Sequence, residues 1–152
     1  MRISKHISYK EAVHSNTAKR RGIENKPNDH QLYNMAKVAH NIFEPLRLYV
    51  GGAIKINSFF RSEELNKAIG GSSKSQHCQG CAIDIDDIYG HKSNYQMFEY
   101  IRENLDFDQL IYEFGDADNP DWVHVSYVSS KENRNRVLRA VKNNGKTSYQ
   151  VF

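Results

Sequence analysis

The stretch SKSQHCQGCAIDIDD, residues 73–87, decides how this chain is read. It brings one histidine, two cysteines and three aspartates close together. Two readings compete. Cys78 and Cys81 form a C-x-x-C pair with His77 as its neighbour, or the cysteines are bystanders and His77 and Asp84 are metal ligands. The end of the stretch, CAIDID at 81–86, alternates apolar and acidic residues as a half-buried strand does. Its two-residue period puts Cys81, Ile83 and Ile85 on one face and Ala82, Asp84 and Asp86 on the other. The small Ala82 leaves room beside Asp84.

The cysteine reading needs more than the chain offers. A structural zinc site takes four ligands, usually two C-x-x-C pairs or one pair with two spaced histidines. Only two cysteines are present. A redox C-x-x-C sits at a helix start, where the dipole lowers the thiol pKa; this one leads into a strand. The histidine–aspartate reading needs one more ligand, since catalytic zinc takes three from the protein and leaves one position for water. PDWVHVSY at 120–127 supplies His124 inside an otherwise apolar strand. Taken singly, each residue has an ordinary alternative. His77 can be a loop histidine, Asp84 a solvent-facing aspartate and His124 a satisfied core or surface histidine.

Working outward, AIKINSFF predicts a strand near 53–59, and SEELNKAIGG a short helix capped by Ser62 and closed by glycine. SYKEA at 8–12 has the form of a capping box. HSNTAKRRGIENKPN reads as loop, punctuated by Gly22 and Pro27. From Asn28, apolar residues recur at helical spacing to Leu46, with Pro45 expected to kink or end the helix. SSKSQH is expected to be loop. Ser93 and Gln96 open another helix with a capping box. DQLIYEF and WVHVSYV read as strands joined by GDADNPD, and NNG between RVLRAVK and KTSYQVF signals a hairpin. The fold class expected is α+β, a mostly antiparallel sheet flanked by a few helices, as one domain over residues 1–152.

Composition sets the outer bounds. The 152 residues are 39% hydrophobic and 26% charged, ordinary for a globular domain with its own core. The formal charge of +3 favours approach to an anionic surface without choosing one. The basic run KENRNRVLRAVKNNGK has phosphate binding as one reading and a solvated face as the commoner one; no nucleic-acid partner is expected. No run approaches the roughly 20 apolar residues of a membrane span, and MRISKHISYKEAV lacks the apolar core of a secretion signal. The chain is therefore expected to be made in the cytosol.

The separated pieces form one pattern. S-x-H-x-x-G-x-A-x-D is complete at Ser75, His77, Gly80, Ala82 and Asp84, and D-x-x-H at Asp121 and His124. The chain in this respect resembles the zinc D-Ala-D-Ala carboxypeptidase superfamily of metallopeptidases, above all the compact domains of small wall hydrolases and phage proteins. The resemblance runs from NSFFRSEELNKAIGGS to WVHVSY.

It implies Zn²⁺ held by His77, Asp84 and His124, with the site on a sheet face. Asp121 would be the acid/base, and Arg61 would steady the substrate or its oxyanion. Ser75, Gln76 and Trp122 are expected to contact substrate. Because Asp121 is three residues before His124, it must sit in the loop end and curve back over the metal. The activity implied is hydrolysis of peptidoglycan stem peptides at a D-Ala-D-Ala or L-Ala-D-Glu bond, by a monomer acting on the cell wall as a phage endolysin does. Two rivals remain at this point. The same fold resembles the hedgehog signalling domain, where a similar zinc site serves recognition, and the chain can also be read as an inactive peptidoglycan-binding or structural module.

Overall fold

The computed structural model describes residues 1–152. Strands β1 (Arg2–Ser4) and β2 (Ile7–Ser8) pair at the N-terminus, followed by helices α1 (Tyr9–Ala12) and α2 (Asn16–Arg21). Helix α3 (Asp29–Val38), a π-helical turn (Ala39–Phe43) and α4 (Glu44–Val50) follow without a break. Next come β3 (Lys55–Ser58), α5 (Glu63–Ala68), a 3₁₀ turn (Gln76–Gln79), β4 (Ala82–Asp86) and α6 (Asn94–Asn104). The chain ends with β5 (Gln109–Glu113), β6 (Trp122–Ser126), β7 (Arg136–Asn143) and β8 (Lys146–Val151).

Pro45 shows how a local rule is met by local repair. It cannot donate an intrahelical bond, and its ring crowds the carbonyl four residues back. The chain widens into the π turn just before it, and the helical run continues to Gly51, whose φ of +75° ends it. The helix thus neither stops nor breaks at Pro45. Residues 16–21 also depart from the expected loop: Ser15 caps α2 through the Ala18 N–H, and Gly22 closes it in the left-handed region. Only Ala18 of this helix is buried, so it carries no apolar period to read.

Strands β3 to β8 form one sheet in the order β3-β4-β6-β5-β7-β8. The expected antiparallel character fails at one ladder: β5 and β7 run parallel, so the sheet is mixed. The cause is an anchor at the start of both strands. Asp108 is 2% exposed and takes a two-pronged bond from Arg134, Nε to Oδ1 at 2.9 Å and Nη2 to Oδ2 at 2.7 Å. The N–H groups of Asn135 and Arg136 then bond the carbonyls of Phe107 and Asp108, which sets β7 off in the direction of β5. The expected hairpin forms beyond it, β7 against β8.

The two sheet faces differ in kind. On one, Ile83, Ile85, Val123, Val125, Leu110 and Tyr112 are almost fully buried and join the main core with Met35, Ile42, Leu46 and Phe98 from the helices. On the other, a smaller apolar group of Ile111, Leu138 and Ala140 floors an open surface. Asp84 and His124 stand on that second face.

Candidate metal centre

Register alone brings two of the site residues together. Asp84 on β4 is the direct partner of His124 on β6, and His124 is in turn the partner of Ile111 on β5. His77 comes from the 3₁₀ turn just before β4. Ser75 caps that turn through the His77 N–H, and Gly80 ends it at φ +77°. A Cβ on Gly80 would lie 2.6 Å from the backbone oxygen of Gln31, so only glycine fits where the turn leans on α3.

His77 is 3% exposed and its ring is fixed. Nδ1 donates to the Phe59 carbonyl at 2.8 Å, so the lone pair is on Nε2. That nitrogen faces Asp84 Oδ2 at 3.1 Å. His124 Nδ1 lies 2.9 Å from the other oxygen, Oδ1. The three donor groups lie within 4.8 Å of one another. Burial pushes the Asp84 carboxyl up, but His77 and His124 outweigh it and hold the group far below the usual carboxylate range.

This donor set fits zinc. It supplies two imidazole nitrogens and one carboxylate oxygen, the mixture catalytic zinc takes. Donors about 2 Å from one tetrahedral ion stand roughly 3.3 Å apart, close to the spacings seen. A lone pair facing a carboxylate at 3.1 Å needs a cation between them, either a proton or a metal ion. The Phe59 carbonyl gives His77 the outer hydrogen bond that orients metal-binding imidazoles. The cysteines stay outside this group. Both are free, Cys81 is buried, and burial raises the pKa of both thiols.

The centre opens into a cavity of about 670 Å³. Arg61, Ser75, Gln76 and Trp122 line it together with His77, Asp84 and His124. Arg61 Nη2 is 4.0 Å from Asp84 Oδ2, and Nη1 donates to Asn66 Oδ1 at 2.9 Å. Gly71 makes room for this pair, because a Cβ there would fall 2.1 Å from Asn66 Oδ1. Gln76 lines the cavity, yet its amide is already engaged: Nε2 donates to Asp108 Oδ2 at 2.8 Å, and Oε1 accepts from Gln109. Its visible task is to hold the turn that carries His77.

Asp121 is not brought into this cavity. It is exposed and lines an adjoining one with Phe114, Arg139 and Lys142, and Trp122 is the wall common to both. The Asp121 N–H is tied to the Glu113 carbonyl, and Asn94 bonds the Asp121 carbonyl.

A different acid lies where Asp121 was expected. Glu113, on β5, is 8% exposed and lines the cavity of the three metal donors. Burial pushes its carboxyl up to about 7, against the pull of His124 and with the help of Asp84. In the sequence it is one acid inside the apolar strand DQLIYEF, the same oddity that marked His124.

A family model described as Peptidase M15 matches residues 5–126. No curated protein matches the chain.

Proposed function

We propose, because the chain belongs to the M15 family of zinc peptidases, that it hydrolyses peptidoglycan stem peptides at the cavity around His77, Asp84 and His124. The match bears out the resemblance to the D-Ala-D-Ala carboxypeptidase superfamily read from the motifs. The observation that carries the reading is the convergence of three metal donors within 4.8 Å at the base of an open, cation-rimmed cavity.

Zinc bound there would make a water molecule nucleophilic near neutral pH and polarise a carbonyl. The chain's own residues supply the rest. Arg61, held by Asn66, keeps a fixed positive charge beside the centre, where an oxyanion would build. Lys74 and Arg136 also line the cavity and suit the free carboxylates of a stem peptide. Trp122 forms an aromatic wall against which the peptide can lie. Ile111 and Leu138 give the floor an apolar patch that suits alanine side chains.

The bond cut is D-Ala-D-Ala or L-Ala-D-Glu, and the setting we favour is lysis of a host wall in the manner of a phage endolysin, by a monomer. No helix is long and apolar enough to cross a membrane. The test is mass analysis of purified peptidoglycan after incubation with zinc-loaded protein. Release of D-alanine supports the first bond, and stem peptides freed at their L-Ala–D-Glu junction support the second. Intact peptidoglycan, with zinc bound and wall binding retained, would return the chain to the binding-module reading.

A further inference from the structure

We infer that the cavity adjoining the metal centre is a subsite for a stem-peptide residue whose side chain ends in a free amino-acid head, an ammonium and a carboxylate together. The inference rests on the peptidase reading above. The cavity, of about 540 Å³, lies where β5 has ended and β7 runs on. Phe114, Gly115, Asp121 and Trp122, at the two ends of the β5–β6 turn, form one side, and residues 139–142 of β7 form the other. Past Glu113 no strand flanks that edge of β7. Arg139 and Lys142 point to opposite faces by the two-residue period, yet both border this gap.

The charges there are uncommitted. Asp121 and the two cations border one cavity, but no ion pair joins them. Arg139 is held by a ring instead: its guanidinium carbon is 5.0 Å from the centre of Tyr112, its partner on β5. Its Nε is the one buried side-chain nitrogen or oxygen without a hydrogen-bond partner. Lys142 stands over Phe114 in the same way, at 5.6 Å. A lone anion in the cavity would meet Asp121, and a lone cation would meet Arg139 and Lys142. A group with one charge of each sign satisfies both sides, its carboxylate toward the cations and its ammonium toward Asp121.

The apolar wall fits the rest of such a side chain. Phe114 is at φ +56°, a region that residues with a Cβ seldom occupy, and its N–H to the Ala140 carbonyl holds it there. Its ring lies against Trp122, 5.5 Å between centres. The two rings can cover the methylenes that lead to the charged head. Trp122 borders both cavities, so a peptide at the metal centre reaches the second one past that ring. In a stem peptide only the third residue carries such a head. Diaminopimelate has it, whereas lysine at that place ends in an ammonium alone. For either candidate bond the third residue is next to the pair being cut, roughly 3.4 Å along an extended chain. The subsite thus selects the wall chemistry whichever of the two bonds is hydrolysed.

The experiment gives zinc-loaded protein four stem pentapeptides that differ only at the third residue: diaminopimelate, its side-chain amide, its side-chain N-acetyl form, and lysine. The free head is expected to be cut best. Each of the other three should lose about tenfold in kcat/KM, the loss appearing in KM, as removal of one charge-assisted bond predicts. The double variant Arg139→Gln, Lys142→Gln should keep one zinc per chain and lose the preference for free carboxylate over amide, to within about twofold. Lys142→Gln alone, an exposed position, should lose part of that preference and covers the case in which the double variant does not fold. The subsite is overturned if the parent cuts all four peptides within about twofold, if the loss appears in kcat alone, or if a folded, zinc-bound variant keeps the full preference. A parent that binds zinc but cuts none of the four removes the peptidase reading instead. The subsite is then judged by equilibrium affinity for the same four peptides, and equal affinities overturn it as well.

Discussion

Asp84 joins the two histidines, one carboxylate oxygen toward each ring. Zinc should therefore depend on these three side chains and not on the thiols beside them. The double variant Cys78→Ser, Cys81→Ser should retain one zinc per chain by metal analysis, and His124→Ala should lose it. The reverse pattern would restore the C-x-x-C reading. Glu113 gives a second residue-scale expectation, in the metal-free protein. Its folded pKa of about 7 is above its ordinary 4.5. Between these values the folded chain holds a proton that the unfolded chain has released, so stability falls as pH rises through that window. The full effect is roughly 3 kcal/mol, as an upper bound. Glu113→Gln removes the ionisable group. Denaturant unfolding should find it more stable than the parent at pH 8 and close to the parent at pH 4.5. Equal stability at both would mean that the carboxyl is not strained by its burial.

At the scale of elements, the sequence was most legible where one local rule acts alone. Alternation in CAIDID gave β4 and its faces, Ser62 and Ser93 capped α5 and α6 as expected, and NNG made the β7–β8 hairpin. Tertiary anchors were not legible. The parallel β5–β7 ladder follows from the Asp108–Arg134 clamp, which joins residues 26 apart in the chain. Glu113 escaped notice because it belongs to no motif piece, and its meaning comes only from the strand set beside it. Asp121 was read from the motif, and the loop geometry set it on another cavity. Gly80 is a case where motif and element agree. It ends the 3₁₀ turn at φ +77° and meets the Gln31 backbone closely. Gly80→Ala should cost about 1–3 kcal/mol from its conformation alone, with more from the contact. Thermal unfolding should show the loss, and zinc affinity should fall with it, since His77 is three residues away. A variant with unchanged melting and zinc affinity would show that the turn yields freely.

Across the whole molecule, the main core lies on one face of the sheet and the candidate site on the other, so a metal held there would leave that core as it is. Zinc binding should act as simple linkage. At a free zinc concentration 100 times Kd it should add about 2.7 kcal/mol, or roughly 5–10 °C in Tm for a chain of this size. A chelator should return Tm to the metal-free value without unfolding the protein at room temperature. Charge supplies the last whole-molecule expectation. The chain carries a formal +3, and Arg61, Lys74 and Arg136 all line the cavity. A stem peptide with free carboxylates meets a field that attracts it before contact. That field reaches about 30 Å at 0.01 M salt and about 8 Å at 0.15 M. Raising salt between these values should lower kcat/KM for the free-acid peptide by about threefold to tenfold, at the low end for steered association. The effect should appear in KM and leave kcat almost unchanged, because the chemical step proposed for the cavity would take place where screening is weak. The same peptide with its carboxylates amidated should show little salt dependence. If the two substrates respond alike, the three cations do not guide the substrate, and its carboxylates are bound elsewhere or not at all.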